Sequence, residues 1–291
     1  MANIGVDLGG HTISAALIDD RGVVMEKRET PTDPSRDLGN VLNSVVTMVE
    51  DLRSSGIPCG GLGIGIPGFI DTSRGICTLP NFPECKWIDL ARLFGDRISV
   101  PVIIENDANC YALGEGVVGA AAGKLDYAVF TLGTGIGGGI VSGGKLMRGA
   151  HGMAGEFGHI AGYGDEPCGC GAYGHLESFS GADGIERSAL LMGFTGDIPS
   201  LWERRHDKTL WPLWDAALRK LAAAIASVAH ILDPEMIILG GGMSGAHGLL
   251  NELHPYLLGY TAGPFRPYMD IRISFLGNDA ALIGAASLFA R

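Results

Sequence analysis

Residues 155–177 bring together side chains that can bind a metal ion. This glycine-rich stretch contains Cys168 and Cys170, with His159 nine residues before the first cysteine and His175 five residues after the second. Two thiolates and two imidazoles are the ligand set of a four-coordinate structural zinc site. The spacing therefore predicts one structural Zn²⁺ bound by these four residues. The alternative is a glycine-rich surface loop with two ordinary thiols and solvated histidines.

Two glutamates, Glu156 and Glu177, flank the four candidate ligands and are expected to be available for another role. The stretch has seven glycines, which lose much backbone entropy on folding and bury little surface, so packing alone is not expected to order it. A bound zinc ion would supply that order. We expect one nitrogen of His159 to bind the metal and the other to remain available to a ligand.

Three clusters of glycine follow apolar segments that read as strands. They lie at residues 9–10, 133–139 and 240–242. Backbone N–H groups in such turns can bind phosphate, and glycine lets a phosphate approach closely. The first two clusters head equivalent β-hairpins, which indicates a weak internal duplication with one unit per domain. Together the clusters suit a nucleotide held between two domains.

Two other nucleotide-binding patterns are disfavoured by the residues around them. Residues 139–146 nearly fit a P-loop, but Leu146 stands where a serine or threonine would bind Mg²⁺. Residues 133–138 fit G-x-G-x-x-G, a pattern that needs a helix after it. Here Ile140 and Val141 read as a strand that enters a turn. A dinucleotide-dependent oxidoreductase is therefore disfavoured.

The elements that must position these residues alternate between apolar strands and amphipathic helices, which predicts an α/β protein with a mostly parallel sheet. Helices are expected over residues 38–52, 108–117, 213–232 and 280–290, and buried strands over 3–8, 60–66, 102–105, 127–132 and 236–239. The predicted domains are an N-terminal α/β domain of residues 1–110, completed by a C-terminal helix at 280–291, and a larger α/β domain of residues 111–279 that carries the zinc-binding loop.

Composition disfavours several classes of protein. The net charge is −11, and an acidic chain without a basic run is a poor nucleic-acid binder. No uninterrupted apolar run approaches the roughly 18 residues that indicate a membrane span. The first residues lack a basic segment and lead directly into a strand, so a cytoplasmic protein without a signal peptide is expected. Six cysteines in 291 residues do not indicate a disulfide scaffold.

Motifs along nearly the whole chain resemble those of the ROK family of sugar kinases and sugar-responsive repressors. In order they are DLGG, GIPGFID, LPNFP, ENDAN, LGTGIGGG, GAHGMAGEFGH, CGCGAYGHLE, ILGGGMS and GNDAALIGAA. The resemblance implies a two-domain actin-like ATPase fold, of the ribonuclease H-like or hexokinase type, with a cleft between the domains. It also implies ATP with Mg²⁺ as cofactors, a hexose as substrate, and a homodimer. Glucose phosphorylated at its 6-hydroxyl is the first expectation, with fructose, allose, mannose and N-acetylmannosamine as alternatives.

The resemblance also implies roles for individual residues. The residues expected to bind the nucleotide are Asp7, Gly9, Gly10, Thr12, Gly133, Thr134, Gly135, Gly240, Gly241 and Gly242. The residues expected to contact the sugar are Gly68, Asn81, Asn106, Asp107, Glu156, His159 and Glu177.

Asp107 is the candidate catalytic base. It follows the strand at 102–105, and α/β folds place ligand chemistry at the carboxyl ends of their strands. A carboxylate there could take the proton of an acceptor hydroxyl during phosphoryl transfer. The alternative is that Asn106 or Asp107 caps the helix at 108–117, and that Asn81 is an ordinary turn residue.

The chain departs from the usual family pattern at two positions. His175 stands where the family usually has a third cysteine, which keeps a donor that can bind zinc. His11 stands where a hydroxyl residue is usual, with Thr12 next to it as a replacement. The repressors of the family carry a helix-turn-helix before the sugar domain, whereas here the first strand begins at residue 3 of an acidic chain. These features favour a kinase over a sugar-sensing regulator.

Overall fold

The structure, a computed structural model, describes residues 1–71, 74, 76–79 and 86–289. The chain divides into two compact units. The first comprises Met1–Lys124, Gly139–Gly155 and Asn278–Arg291, and the second comprises Leu125–Gly138 and Glu156–Gly277. Residues 111–124 and 139–155 therefore lie in the first unit, although the sequence analysis assigns them to the second domain. The domain boundaries proposed from the sequence stay a prediction.

Groups of strands and groups of helices follow one another along the described residues. The strands are β1 (Ala2–Leu8), β2 (Thr12–Ile18), β3 (Val24–Pro31), β4 (Cys59–Ile66), β5 (Phe69–Asp71), β6 (Ile76–Thr78), β7 (Ile88–Asp89), β8 (Val102–Asn106), β9 (Tyr127–Leu132), β10 (Ile136–Ser142), β11 (Lys145–Leu146), β12 (Met236–Gly240) and β13 (Ile271–Ile273). The α-helices are α1 (Leu38–Arg53), α2 (Leu90–Gly95), α3 (Asp107–Val117), α4 (Glu177–Ser180), α5 (Ala182–Leu191), α6 (Ile198–Glu203), α7 (Trp211–Leu232), α8 (Leu249–Tyr260) and α9 (Asp279–Ser287). Among the helices described, none has both the length and the apolar character needed to cross a membrane.

The first unit is built on a five-stranded sheet with the order β3-β2-β1-β4-β8. β1 pairs antiparallel with β2, whereas β1, β4 and β8 run parallel, with Asp7 opposite Gly65 and Ile66 opposite Asn106. The three parallel strands are mostly apolar, as expected where both faces of a sheet are covered. Their carboxyl ends lie at the same edge of the sheet.

The second five-stranded sheet has the order β11-β10-β9-β12-β13. β9, β12 and β13 are parallel, and Gly240 lies opposite Thr131. In each of these two sheets, three strands that follow one another in the chain lie beside two further strands that run parallel to the nearest of the three. This common arrangement agrees with the predicted internal duplication. Helix α7 has a buried stripe of leucine, isoleucine and alanine at helical spacing, as its sequence predicts.

Strand β10 differs in length from the prediction. The sequence pattern predicts a strand only at Ile140 and Val141, but β10 begins at Ile136 and includes the glycines at 137–139. The turn after β9 is therefore confined to residues 133–135. Residues 139–146 form a hairpin in which Val141 pairs with Leu146, so the exclusion of a P-loop and of a dinucleotide-binding helix is confirmed.

Helix α9 packs close to its neighbours in the first unit because glycines line the contact. A Cβ added to Gly284 would lie 1.7 Å from the carbonyl oxygen of Cys110 in α3. A Cβ added to Gly63 of β4 would lie 1.9 Å from the carbonyl oxygen of Ala285. These contacts are with backbone atoms, which have no flexible end to move aside. The spacing of α3, α9 and the sheet therefore depends on the lack of side chains at these positions.

We expect Gly284→Ala to destabilise the protein by about 2–4 kcal/mol, because the added methyl group must push two packed helices apart. Urea unfolding monitored by circular dichroism measures this change. Gly259→Ala in α8 is the matched control, because no atom lies within 4 Å of the place where its Cβ would be. It should be neutral or stabilising by up to about 1 kcal/mol, the difference in helix propensity. Equal effects of the two substitutions would contradict the packing constraint.

Candidate active site and metal centre

Four of the predicted site residues lie at the carboxyl edge of the first sheet. Asp7 is near the end of β1, Gly68 follows β4, and Asn106 ends β8 immediately before Asp107. The parallel register aligns these strand ends, because Asp7 and Glu105 both lie opposite Gly65. This is the edge at which open α/β sheets bind their ligands.

Asn106, and not Asp107, is the N-cap of α3. Its side-chain oxygen accepts a hydrogen bond from the backbone N–H of Asn109 at 3.0 Å, and its Nδ2 donates to the carbonyl oxygen of Gly68 at 3.4 Å. Asp107 is the first residue of the helix, and its Oδ1 accepts a hydrogen bond from the N–H of Ala108 at 2.8 Å. Capping of α3 therefore explains the presence of Asn106. It does not explain the carboxylate of Asp107, which is not the capping group.

Both aspartates at this edge bind a proton more readily than usual. Burial, together with the negative charge of Asp107, raises the pKa of Asp7 to about 7, and Lys27 offsets part of this increase. Burial also raises the pKa of Asp107, although the N–H of Ala108 opposes the shift. Two half-buried acids, one of which disfavours the ionisation of the other, are characteristic of sites that bind a cation or move a proton.

The first glycine turn is held by backbone contacts and by Thr32. The N–H of Gly9 donates to the carbonyl oxygen of Thr12 at 3.0 Å, which closes the turn. Buried Thr32 donates its hydroxyl to the carbonyl oxygen of Gly9 at 2.8 Å, and its N–H donates to the carbonyl oxygen of His11 at 2.9 Å. The side chain of His11 is exposed. Sequence reasoning missed Thr32 because it lies 23 residues from Gly9.

In the second unit, two glycine turns lie side by side. The turns follow the neighbouring parallel strands β9 and β12, and a Cβ on Gly241 would lie 2.5 Å from the carbonyl oxygen of Leu132. The carbonyl oxygens of Gly133 and Thr134 accept the N–H groups of residues 182 and 183 at the start of α5. These hydrogen bonds fix the first of the two turns. The second is continued by a 3₁₀-helix that begins at Gly242.

The four predicted metal ligands form one cluster, in which the potential ligand atoms of His159, Cys168, Cys170 and His175 all lie within 4.8 Å of one another. The Nδ1 atoms of the two histidines are 3.2 Å apart. The Sγ of Cys168 is 3.9 Å from Nδ1 of His159, and the Sγ of Cys170 is 3.3 Å from Nδ1 of His175. Tetrahedral zinc with ordinary bond lengths requires about 3.3 Å between nitrogens and about 3.6 Å between nitrogen and sulfur. The donor set therefore fits a zinc ion.

Both flanking glutamates approach this cluster. The Nε2 of His159 is 3.7 Å from a carboxylate oxygen of Glu156, while its Nδ1 faces the other potential ligands. Oε1 of Glu177 lies 2.9 Å from the Sγ of Cys168. Glu177 therefore adjoins the metal cluster itself. The chain turns into α4 directly after His175, which brings the carboxylate against the thiol.

Burial affects the protonation of this cluster. It raises the pKa of the Cys168 thiol to about 12, and hydrogen bonding with Glu177 acts in the same direction. Burial also lowers the pKa of His159, which favours the neutral imidazole that binds metals. A cation at the centre of the cluster is what would hold Cys168 as a thiolate next to a carboxylate.

The structure brings the predicted site residues into two groups, one in each unit. The group in the first unit is Asp7, Gly9, Gly10, Thr12, Gly68, Asn106 and Asp107. The group in the second unit is Gly133, Thr134, Gly135, Glu156, His159, Cys168, Cys170, His175, Glu177, Gly240, Gly241 and Gly242. Within the second group, a Cβ on Gly135 would lie 2.6 Å from Oε2 of Glu177, so a glycine turn adjoins a flanking glutamate. Asn81 lies outside the described residues.

The sequence matches one protein family over almost its whole length. Residues 3–291 match the ROK family. A glucokinase of Halalkalibacterium halodurans is 36% identical over 313 aligned residues, which cover 98% of this chain and 94% of the relative. The chain belongs to the ROK family. An N-acetylmannosamine kinase of Escherichia coli O157:H7 is 30% identical over 293 residues, which cover 99% of this chain and 98% of that protein.

A solved structure of a ROK family protein has the same fold. The crystal structure of a ROK family glucokinase from Streptomyces griseus, in complex with glucose and AMPPNP, has a TM-score of 0.85 and 31% sequence identity, and the similarity covers 99% of both chains. The predicted fold class, a two-domain α/β actin-like ATPase fold, is confirmed.

The raised pKa of Asp7 predicts how stability depends on pH. Between the usual pKa of 3.8 and the raised pKa of about 7, folded Asp7 retains a proton that the unfolded chain has released. The contribution of Asp7 to the free energy of unfolding therefore falls as the pH rises through this window. We expect Asp7→Asn to become progressively more stable than the wild type over this window, as measured by urea unfolding without metal or nucleotide.

Asp96→Asn is the control for this measurement, because the side chain of Asp96 is 66% exposed at the end of α2. Its stability relative to the wild type should change little with pH. A difference between Asp7→Asn and the wild type that stays constant across the same window would show that Asp7 ionises normally.

Proposed function

We propose that this protein is an ATP-dependent hexokinase that transfers the γ-phosphate of ATP to the 6-hydroxyl of glucose. The observation that carries the proposal is the position of Asp107, a half-buried carboxylate with a raised pKa, at the carboxyl edge of the first sheet of a ROK family fold. Glucokinases are among the relatives that cover nearly the whole chain. N-acetylmannosamine is the second candidate acceptor, because a kinase for that sugar is also similar along the whole chain.

Asp107 acts as the general base in this proposal. Its Oδ1 is fixed by the N–H of Ala108, which sets the direction of the carboxylate. The raised pKa strengthens the base, provided that the carboxylate is ionised at the working pH. Phosphoryl transfer needs positioning and charge stabilisation more than covalent chemistry, so the fixed orientation is as important as the proton affinity.

The nucleotide would be bound by the glycine turns and by Asp7. Backbone N–H groups at residues 9–10, 133–135 and 240–242 are suited to phosphate oxygens, and Thr12 and Thr134 add hydroxyl groups. Asp7 would bind the Mg²⁺ that accompanies ATP, since a cation relieves the repulsion between Asp7 and Asp107. Bound Mg²⁺ would neutralise charge on the phosphates.

The acceptor sugar would be bound by hydrogen bonds from polar side chains and backbone groups. The proposed contacts are Gly68, Asn81, Asn106, Asp107, Glu156, His159 and Glu177. Carboxylates, amides and an imidazole can each accept from or donate to vicinal hydroxyl groups, which suits a hexose. Asn106 already uses its amide group for the α3 cap and for Gly68, so its contact with sugar would be made in that fixed orientation.

The metal cluster would hold a structural Zn²⁺ through His159, Cys168, Cys170 and His175. All four positions would be taken by protein atoms, so the ion would serve to order the loop and not to bind water or substrate. His159 would bind zinc through Nδ1 and keep Nε2 for Glu156 and the sugar. We further propose that the protein is a cytoplasmic homodimer, as its resemblance to the family implies.

The test of the proposed function is an ADP-release assay with ATP and Mg²⁺ across glucose, fructose, allose, mannose and N-acetylmannosamine. We expect the highest kcat/KM with glucose. Asp107→Asn should lower kcat by about 10²- to 10⁴-fold, the usual contribution of a general base. The fold should be retained, because asparagine can accept the same hydrogen bond from Ala108.

Asp37→Asn is the matched control for the loss of charge at the start of a helix. Asp37 caps α1 by accepting the N–H of Asn40 at 2.9 Å, and asparagine caps equally well. Its kcat should equal that of the wild type. If the wild type phosphorylates none of these sugars, the proposed function is wrong. If Asp107→Asn retains full kcat, Asp107 is not the base.

Metal analysis of the purified protein tests the zinc site. We expect one zinc ion per chain in the wild type and in His175→Cys, which retains four donors. His175→Ala removes one ligand and should weaken zinc binding by more than the roughly 10- to 100-fold that outer-shell changes cost. Chelation should raise the KM for sugar more than that for ATP, because the approach of Glu156 and Glu177 links the cluster to proposed sugar ligands.

His206→Ala is the control for this series, because that histidine is 64% exposed and does not belong to the cluster. It should retain one zinc ion per chain. Wild-type protein that stays metal-free after expression with added zinc would disprove the structural zinc site.

A further inference from the structure

The first unit contains a buried carboxylate to which the proposed mechanism gives no role. Glu105 precedes Asn106 in β8, and its side chain is only 1% exposed. Its Oε2 accepts a hydrogen bond from Nε of Arg148 at 2.6 Å. Arg148 belongs to the segment that follows β11, and its own side chain is 41% exposed. A charged group therefore occupies the interior two residues before Asp107, with an arginine as its counter-ion.

The other oxygen of Glu105 holds the first turn of α3. Oε1 accepts the backbone N–H of Asn106 at 3.0 Å and Nδ2 of Asn109 at 3.0 Å. These two donors lie on either side of Asp107 in the chain. One carboxylate thus fixes the chain on both sides of Asp107, and that carboxylate is fixed in turn by Arg148.

The segment that carries Arg148 also contacts the strand after Gly68. The N–H of Ala154 donates to the carbonyl oxygen of Arg148 at 3.1 Å, which closes residues 148–154 into a loop. Gly152 in this loop has φ +78°, and a Cβ there would lie 2.2 Å from the carbonyl oxygen of Ile70 in β5. Glycine satisfies both the backbone angle and the close approach. The loop is therefore held against β5 at one point and against Glu105 at another.

Stability alone does not explain a buried carboxylate that is paired with a partly exposed arginine. Taking a carboxylate out of water is costly, and apolar residues of similar size are often as stable. The side-chain oxygen of Asn109 adds to this cost, because it is buried and has no hydrogen-bond partner among the described residues. What the pair does achieve is a fixed orientation for the residues between its two hydrogen bonds.

We propose that Glu105 and Arg148 are positioning residues that hold Asp107 in its reactive orientation. Arg148 acts through Glu105, and Glu105 acts through the backbone of Asn106 and the side chain of Asn109. This inference rests on the proposed role of Asp107 as the base. It assigns a function to two residues that do not touch the reacting atoms.

The test compares Arg148→Met with Arg28→Met. Arg28 is the matched control because its side chain is 39% exposed, belongs to the same unit and donates Nε to the carboxylate of Asp51. Asp51 is 54% exposed and is therefore solvated without a counter-ion. We expect Arg148→Met to lower kcat by about 10- to 100-fold with little change in the KM for ATP, the cost of misplacing a reacting group. Arg28→Met should retain the wild-type kcat.

Two further variants separate positioning from a general loss of stability. Arg148→Lys keeps the charge without the planar guanidinium and should recover part of kcat. Arg148→Met leaves the carboxylate of Glu105 without its counter-ion, and the double variant E105Q/R148M replaces that carboxylate with a neutral amide. The amide oxygen can still accept the hydrogen bonds from Asn106 and Asn109. It should be more active than Arg148→Met alone, because the two substitutions act on one interaction. A merely structural role predicts that neither variant changes the kcat of the protein that remains folded.

Hydrogen exchange provides a readout that does not depend on kinase activity. The backbone N–H of Asn106 donates to Glu105, and that of Asn109 donates to Asn106. Both amides should exchange faster in Arg148→Met and at the wild-type rate in Arg28→Met. Unchanged exchange, or kcat values that fall equally in the two variants, would overturn the inference. An inactive wild type would overturn the proposed function and, with it, the catalytic meaning of the pair.

Discussion

Carboxylates gathered at the carboxyl edge of three parallel strands are the constraint on which the first unit depends. The register of β1, β4 and β8 aligns Asp7 and Glu105 opposite the same glycine, and Asp107 follows two residues later. Burial raises the proton affinity of Asp7 and Asp107, while Glu105 is paired with Arg148. The burial that raises the pKa of Asp7 also makes the unliganded protein less stable as the pH rises. In the proposed mechanism the same effect strengthens Asp107 as a base, so activity and instability would have one physical cause.

The position of Asp107 depends on where α3 can lie as much as on its own hydrogen bonds. A Cβ on Gly65 would lie 3.4 Å from the Cα of Asp107, so the strand beneath the helix start leaves just enough room for it. At the end of the first turn of α3, Gly284 of α9 allows contact with the carbonyl oxygen of Cys110. Small residues thus set the depth at which α3 packs, and Asn106 and Glu105 set the direction in which it begins.

The second unit obtains its order in a different way. Its glycine turns follow parallel strands and are fixed by backbone hydrogen bonds, whereas residues 155–177 have few apolar side chains to bury. The cluster of two cysteines and two histidines can replace that missing packing with metal bonds. Because His159 has one nitrogen toward the cluster and the other toward Glu156, an ordering ion would also orient polar groups outside its own coordination sphere.

Features of the fold and of the candidate site could be predicted from the sequence where the interacting residues are close together in the chain. The periodic strands and helices, the glycine turns, Asp107 and the four candidate metal ligands are visible as local spacing. The structure places these four candidate ligands in one cluster. The short helices α4 to α6 have no such pattern, so the contact between Glu177 and Cys168 was not foreseen. Thr32 and Arg148 act on partners 23 and 43 residues away. Glu105 ends the predicted strand at 102–105, and nothing near it in the sequence indicates a partner for its side chain. The contact with Arg148 supplies that partner inside the protein, where the carboxylate also accepts the N–H of the residue that follows.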